Sequence, residues 1–251
     1  MARKHHGRII DTDVRLATTP LRAWQAWADP QHIANWFVDR AEGEGKAGEV
    51  MTWFFDTFNI RQPVPVLEST PGETIVLGSG DAAGPHGHPW LIEITIAKDG
   101  GETRLRLVNS GFSADAAFED DFQGVVSGWK MALGTMKRWL ERHADRRRQH
   151  RLVMQPAAYS EDALQLLFHT ADGRERWLGE IIRGEGVLTD TGREVLMSWD
   201  RHEGVLGLKA FKAGPQQMLA LDASMWSAET ADFEPVEAAL RRALLRLTAM
   251  V

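Results

Sequence analysis

Between Phe118 and His143 the large apolar residues are Phe118, Phe122, Val125, Val126, Trp129, Leu133, Met136 and Leu140. Steps of three and four place them on one face of a helix. Acids lead the stretch (Asp115, Glu119, Asp120, Asp121) and bases close it (Lys137, Arg138, Arg142), the polarity a helix dipole favours. At ~1.5 Å per residue such a helix runs about 39 Å. One apolar stripe of that length needs a broad covering surface, and the segments before it read as strands. The chain therefore reads as α+β, with a sheet wrapped around a long helix.

The strand signals begin at residues 8–18, where Ile10, Thr12, Val14 and Leu16 alternate with Asp11, Asp13 and Arg15. Thr19-Pro20 and Asp29-Pro30 each pair a capping side chain with a proline suited to the first helical position. They predict two short, abutting helices, the first with Leu21, Trp24 and Trp27, the second with Ile33, Trp36 and Phe37. Strands are then expected over 50–58, 60–68, 73–77, 90–96 and 104–109, with turns at 43–48, 69–72 and 99–101 and a longer loop at 79–89. The order is strand, two short helices, about six strands, long helix.

That order, with the strings Pro20-Leu21-Arg22-Ala23-Trp24, Asp29-Pro30, Trp36-Phe37, Gly48-Glu49-Val50 and Gly128-Trp129, resembles the START-like (SRPBCC, Bet v-like) superfamily. Within it, residues 8–143 look like the branch of the activator of heat-shock protein 90 ATPase homologues. The resemblance implies a helix-grip fold, an antiparallel sheet around a C-terminal helix. It also implies a range of functions, from binding lipids, hormones or polyketides to cyclisation and assistance to chaperones.

After a charged linker at 145–151 the same grammar returns in shorter form. A strand is expected at 152–158, a helix capped by Ser160 with Leu164, Leu167 and Phe168, and a second short helix ending at Trp177-Leu178. Glu194-Val195-Leu196-Met197-Ser198-Trp199 echoes Glu49-Val50-Met51-Thr52-Trp53 with one insertion. Alternating strands follow, and Glu234-Pro235 opens a last helix with Val236, Leu240, Leu244 and Leu247 on one face. These parallels predict a tandem of two helix-grip units, 1–148 and 149–251. The second is about two strands shorter and serves as a structural or docking module.

Composition narrows function. With no cysteine, disulfides, thiolate metal sites and a Cys nucleophile are excluded. A net charge of −6 weighs against a nucleic-acid partner. No apolar run approaches the ~18 residues of a membrane span. The basic start MARKHHGR lacks the apolar core of a signal peptide, so a cytoplasmic protein is expected. GEGKAG at 43–48 lacks the Lys-Ser/Thr of a phosphate loop, and no G-x-S-x-G elbow occurs. His86 and His88 have no third ligand in view, and neither a metal nor a cofactor is expected.

What remains is an aromatic interior. The candidate ligand-binding residues are Trp36, Trp53, Phe55, Phe58, Trp90, Asn109, Gly128 and Trp129. The rings would wall an apolar cavity, and Asn109, in phase with Leu105 and Leu107, would orient a polar group. Gly124 and Gly128 cost helix stability and imply that something approaches the long helix closely. The reading is non-enzymatic binding of a small hydrophobic molecule. The alternatives are a co-chaperone module with a chaperone partner and a cyclase- or hydrolase-like enzyme using the same cavity. Monomer and homodimer both fit.

Overall fold

A computed structural model describes residues 5–80, 82, 88–160, 162–163, 187–190, 194–199, 202–213, 215–226 and 233–248. The chain divides into two compact units, Met1–Val126 with Met136–Ala144, and Ser127–Thr135 with Asp145–Val251.

The first unit opens with β1 (Arg8–Leu16), then α1 (Pro20–Ala28) and α2 (Pro30–Ile33). Both helix starts are capped as their residues dictate. Thr19 Oγ1 accepts from Arg22 N at 3.3 Å and Asp29 Oδ1 from Gln31 N at 2.8 Å. Six strands follow: β2 (Arg40–Glu42), β3 (Val50–Phe55), β4 (Ile60–Thr70), β5 (Thr74–Gly78), β6 (Leu91–Asp99) and β7 (Glu102–Phe112). Each pairs antiparallel with its neighbour, and β1 returns to pair with β7, giving the order β1-β7-β6-β5-β4-β3-β2.

Two irregularities bend this sheet. The register shifts in β4 between Val66 and Glu68, and in β1 between Arg8 and Ile9, opposite Gly111. Gly111 has φ +103°, and a Cβ there would lie 2.7 Å from Pro89 O and from Trp90 Cα, so only glycine fits. The shift lets Phe112 pair with Arg8, on the same side as Ile10 and Asn109.

That side faces α3 (Glu119–Arg142), a continuous helix running beside β1. Arg8 meets Glu119 at 2.6 Å and Phe112 meets Phe122 edge to face at 5.3 Å. At the other end Lys137 Nζ donates to Arg15 O at 2.7 Å, and Ala17 N donates to Glu141 Oε1 at 2.8 Å. A strand from Arg8 to Ala17 advances about 30 Å and a helix from Glu119 to Glu141 about 33 Å, so the two rods keep pace. The antiparallel sheet with its long helix fits a helix-grip fold.

The second unit holds β8 (Gln149–Pro156), β9 (Val187–Asp190), β10 (Glu194–Trp199), β11 (Gly204–Ala213) and β12 (Gln216–Met225), with α4 (Phe233–Thr248). Among the described residues its sheet has five strands in the order β8-β12-β11-β10-β9. Val153, Met197, Leu206 and Leu221 share a buried core with Leu240 and Leu244 of α4. Met131, in the stretch of α3 grouped with this unit, brings its Cε within 3.5 Å of where a Cβ on Gly207 would sit.

Several local expectations change. Phe58 lies not on a strand but in a 3-10 turn, Asp56–Phe58, closed by Asn59 at φ 52°. The asparagine tolerates the left-handed conformation that ends β3 early. The second short helix ends at Ile33, so Trp36 and Phe37 follow it in a turn. Outside the helix's own backbone, Gly124 and Gly128 have no atom within 4 Å of an added Cβ, so of the two close approaches expected there, by a ligand or by another segment, the second is not made. The charged stretch 145–151 is not a free linker. Gln149 opens β8, Arg146 pairs with Glu203 at 2.6 Å, and Arg148 Nε donates to Ser224 Oγ at 2.9 Å. The expected helices over 164–178 and the residue His86 lie outside the described residues.

Candidate functional site

Strand alternation sorts β3 into two faces. Met51, Trp53 and Phe55 point one way, Thr52 and Phe54 the other. Cross-strand pairs carry the first face across the sheet, from Met51 to Val64, from Val66 to Leu77, then to Ile92, Asn109 and Ile10. It is therefore the face that, at the β1 and β7 end, carries Phe112 against Phe122 of α3.

Around Trp53 the rings form a chain. Phe37 stands edge to face with Trp53 at 5.3 Å and with Phe55 at 5.8 Å, and stacks on Trp36 at 5.3 Å. Trp36 in turn meets Trp27 at 4.8 Å. The inner end is sealed: Trp36 is 2% exposed and its Nε1 donates to Ala26 O at 2.8 Å. The outer end is open, with Phe37 and Phe55 half-buried and Phe58 and Ile60 51% and 48% exposed. Trp53 is 4% exposed, and its Nε1 is buried with no hydrogen-bond acceptor in reach.

The flanking charges sit on the other face. Arg40, Phe54 and Arg61 are in register across β2, β3 and β4. The Arg40 guanidinium lies 3.4 Å from the Phe54 ring centroid and that of Arg61 5.9 Å. The row of Trp53 holds only Ala41 and Gln62.

Of the residues expected to line a cavity, the structure brings Trp53 and Phe55 together through Phe37, with Trp36 one ring behind and Phe58 at the adjoining turn. Asn109 is buried on the same face, and its Nδ2 is committed to Leu91 O at 2.8 Å. Trp90 is half-buried just before β6. Gly128 and Trp129 fall in the part of α3 grouped with the second unit. Phe37 was missing from the expected set. Its signal was its place beside Trp36, after the Asp29-Pro30 helix start.

Two clusters of ionisable groups lie elsewhere. His5 Nδ1 is 3.3 Å from Ser110 Oγ, and His5 Nε2 is 3.8 Å from Glu93. Ser110 neighbours Asn109 on β7 and so faces away from α3. At 1% exposure its hydroxyl is closed to any substrate, whatever the resemblance to a Ser–His–acid line. In the second unit a row crosses the sheet. Asp222 accepts from His150 Nε2 at 2.9 Å and Lys209 Nζ at 2.7 Å, and Lys209 pairs in register with Glu194. Burial raises the Glu194 carboxyl above its ordinary value, against the pull of Lys209. For Asp222 burial pushes upward, but Lys209 and His150 outweigh it and hold the carboxyl well below the usual range. Among the described residues no three His, Cys, Asp or Glu side chains could hold a metal ion, and no helix is long and apolar enough to cross a membrane.

Residues 17–141 match the family described as Activator of Hsp90 ATPase homolog 1-like protein. No curated protein matches the chain. Among solved structures, the Aha1 dimer from Colwellia psychrerythraea is 18% identical over 53% of this chain and 96% of that one, with a TM-score of 0.46. A protein from Mesorhizobium loti gives the same identity, coverage and score. DynU16, from the dynemicin biosynthetic locus, is 14% identical over 96% of both chains, with a TM-score of 0.45.

Proposed function

We propose that the first unit, in which residues 17–141 match the Hsp90-ATPase-activator family, binds a small hydrophobic molecule against the aromatic wall of its sheet without transforming it. The observation that carries this reading is the graded ring chain. Trp36 is sealed, Phe37 and Phe55 are half-buried, and Phe58 and Ile60 lie open beside them. Rings left half-covered on one face of a sheet favour an apolar guest. Each 100 Å² of apolar surface removed from water contributes about 2.5 kcal/mol. Trp53, Phe55 and Phe58 form the wall with Phe37, Trp36 backs it, and Trp90 and Asn109 lie along the same unit. The second unit, read as a shortened copy of the first, has a supporting role, and its strand order supports that reading. Native mass spectrometry of freshly purified protein tests the binding. An adduct of a few hundred daltons that denaturation releases is expected; a bare chain that takes up no naphthalene or steroid probe refutes it.

The family match favours a second reading, contact with an Hsp90-type chaperone. An ATPase assay with added chain decides it, since a co-chaperone accelerates turnover and an unrelated binder leaves it unchanged.

A further inference from the structure

Three tryptophans of the first unit have indole N–H groups whose surroundings differ. Trp24 Nε1 donates to Thr74 O at 3.1 Å and Trp36 Nε1 to Ala26 O at 2.8 Å. Trp53 Nε1 is as deeply buried and has no acceptor. A buried donor left unmet is expensive, and native folds rarely keep one without a use. Its nearest aromatic neighbour, Phe37 at 5.3 Å and an interplanar angle of 85°, offers at most a weak N–H to ring contact. Phe37 is also half-buried, so a guest can displace it more easily than the sealed Trp36.

Resting on the binding reading above, we infer that the ligand of this site is a neutral molecule whose hydrogen-bond acceptor, a ketone, ester or amide carbonyl, takes the Trp53 indole proton. Neutrality follows from the cations nearest Trp53 in the sheet. Arg40 and Arg61 lie on the opposite face over Phe54, and Ala41 and Gln62 flank Trp53 in its row. On the α3 face Arg8 is engaged by Glu119 at 2.6 Å, on the sheet edge opposite β2. A carboxylate placed at Trp53 would lose its water and gain no counter-charge, whereas a carbonyl loses little and gains a hydrogen bond.

Equilibrium dialysis of the full chain against three probes of one shape tests this: 2-acetylnaphthalene, 2-ethylnaphthalene and 2-naphthoate. The ketone binds about five- to tenfold tighter than the hydrocarbon, the gain of one hydrogen bond to a buried donor, and the carboxylate binds weakest. Trp53→Phe brings the ketone-to-hydrocarbon ratio, taken within that variant, to about one, whatever the change in its affinity for the hydrocarbon. Equal affinities in the unaltered protein, a ratio that survives Trp53→Phe, or a preference for naphthoate each overturn the inference and leave the hydrophobic site standing. Failure of all three probes to bind overturns the site itself, and the inference with it.

Discussion

Single residues decide two features of the first unit, and both are glycines read differently by sequence and structure. Gly111 sits at φ +103° with Pro89 O and Trp90 Cα where a Cβ would go. Gly111→Ala should cost about 2–4 kcal/mol, read as a lower denaturant midpoint at unchanged slope. Gly124 is exposed on α3 with nothing within 4 Å of an added Cβ. Gly124→Ala should raise stability by about 1 kcal/mol; destabilisation would mean that something packs there. The glycine spacing in the sequence could not separate these cases, because crowding depends on strands far away in the chain. Trp53 was legible as an interior ring from its place in an aromatic strand-like run. The state of its N–H was not, since that depends on which carbonyls surround it after folding. Asn109 was likewise legible as inward, while its bond to Leu91 O required the pairing of β6 with β7.

At the scale of elements, the features that local chemistry determines were the ones the sequence disclosed. Thr19 and Asp29 cap α1 and α2 through bonds three and two residues long, so the signal and the structure are the same few atoms. Thr19→Ala should cost about 1 kcal/mol, checked by thermal unfolding against an exposed-site control such as Gln31→Ala. The amphipathic face of α3 was equally plain, because helix period and dipole act within the segment. The end of β3 was not. Phe55 to Phe58 is rich in strand formers, and the αL turn at Asn59 ends the strand against that propensity. The residues 145–151 looked like a solvated linker because charge usually means water, yet Arg146 finds Glu203 in the turn between β10 and β11 and Arg148 finds Ser224 on β12. Helix α3 is fastened at both ends to β1. Glu141→Gln weakens its bond to Lys137 at 2.6 Å and its hold on Ala17 N, and should raise hydrogen exchange at residues 137–142 while leaving 119–126 unchanged.

Across the whole molecule, the two sheets follow one rule: the first strand pairs with the last, and the rest run back in order. In each unit an arginine of the opening strand meets a glutamate near the start of the closing helix, Arg8 with Glu119 at 2.6 Å and Arg151 with Glu237 at 3.3 Å. The units differ in charge. Among the described residues the second carries a row from His150 through Asp222 and Lys209 to Glu194, and that row makes its stability depend on pH. Glu194 has a folded pKa above its ordinary 4.5, so its favourable contribution is full below that value and is lost as pH rises through the folded one. Asp222 has a folded pKa well below 3.8, so its contribution is present above 3.8 and is lost only on stronger acidification. Glu194→Gln should therefore raise the melting temperature by a few degrees at neutral pH, a gain that fades by about pH 4. Asp222→Asn should cost about 1–3 kcal/mol at neutral pH.

The claim on which the functional account turns is that a guest meets Trp53 on the aromatic face of the first sheet. The chain has ten tryptophans, whose indole N–H signals can be followed one by one in nitrogen-15-labelled protein. On titration with 2-acetylnaphthalene the account predicts that the Trp53 signal moves furthest, while Trp24 and Trp36, held by Thr74 and Ala26, stay nearly still. Shifts confined to Trp199 and Trp226 of the second unit, or no shift at saturating probe, would contradict it.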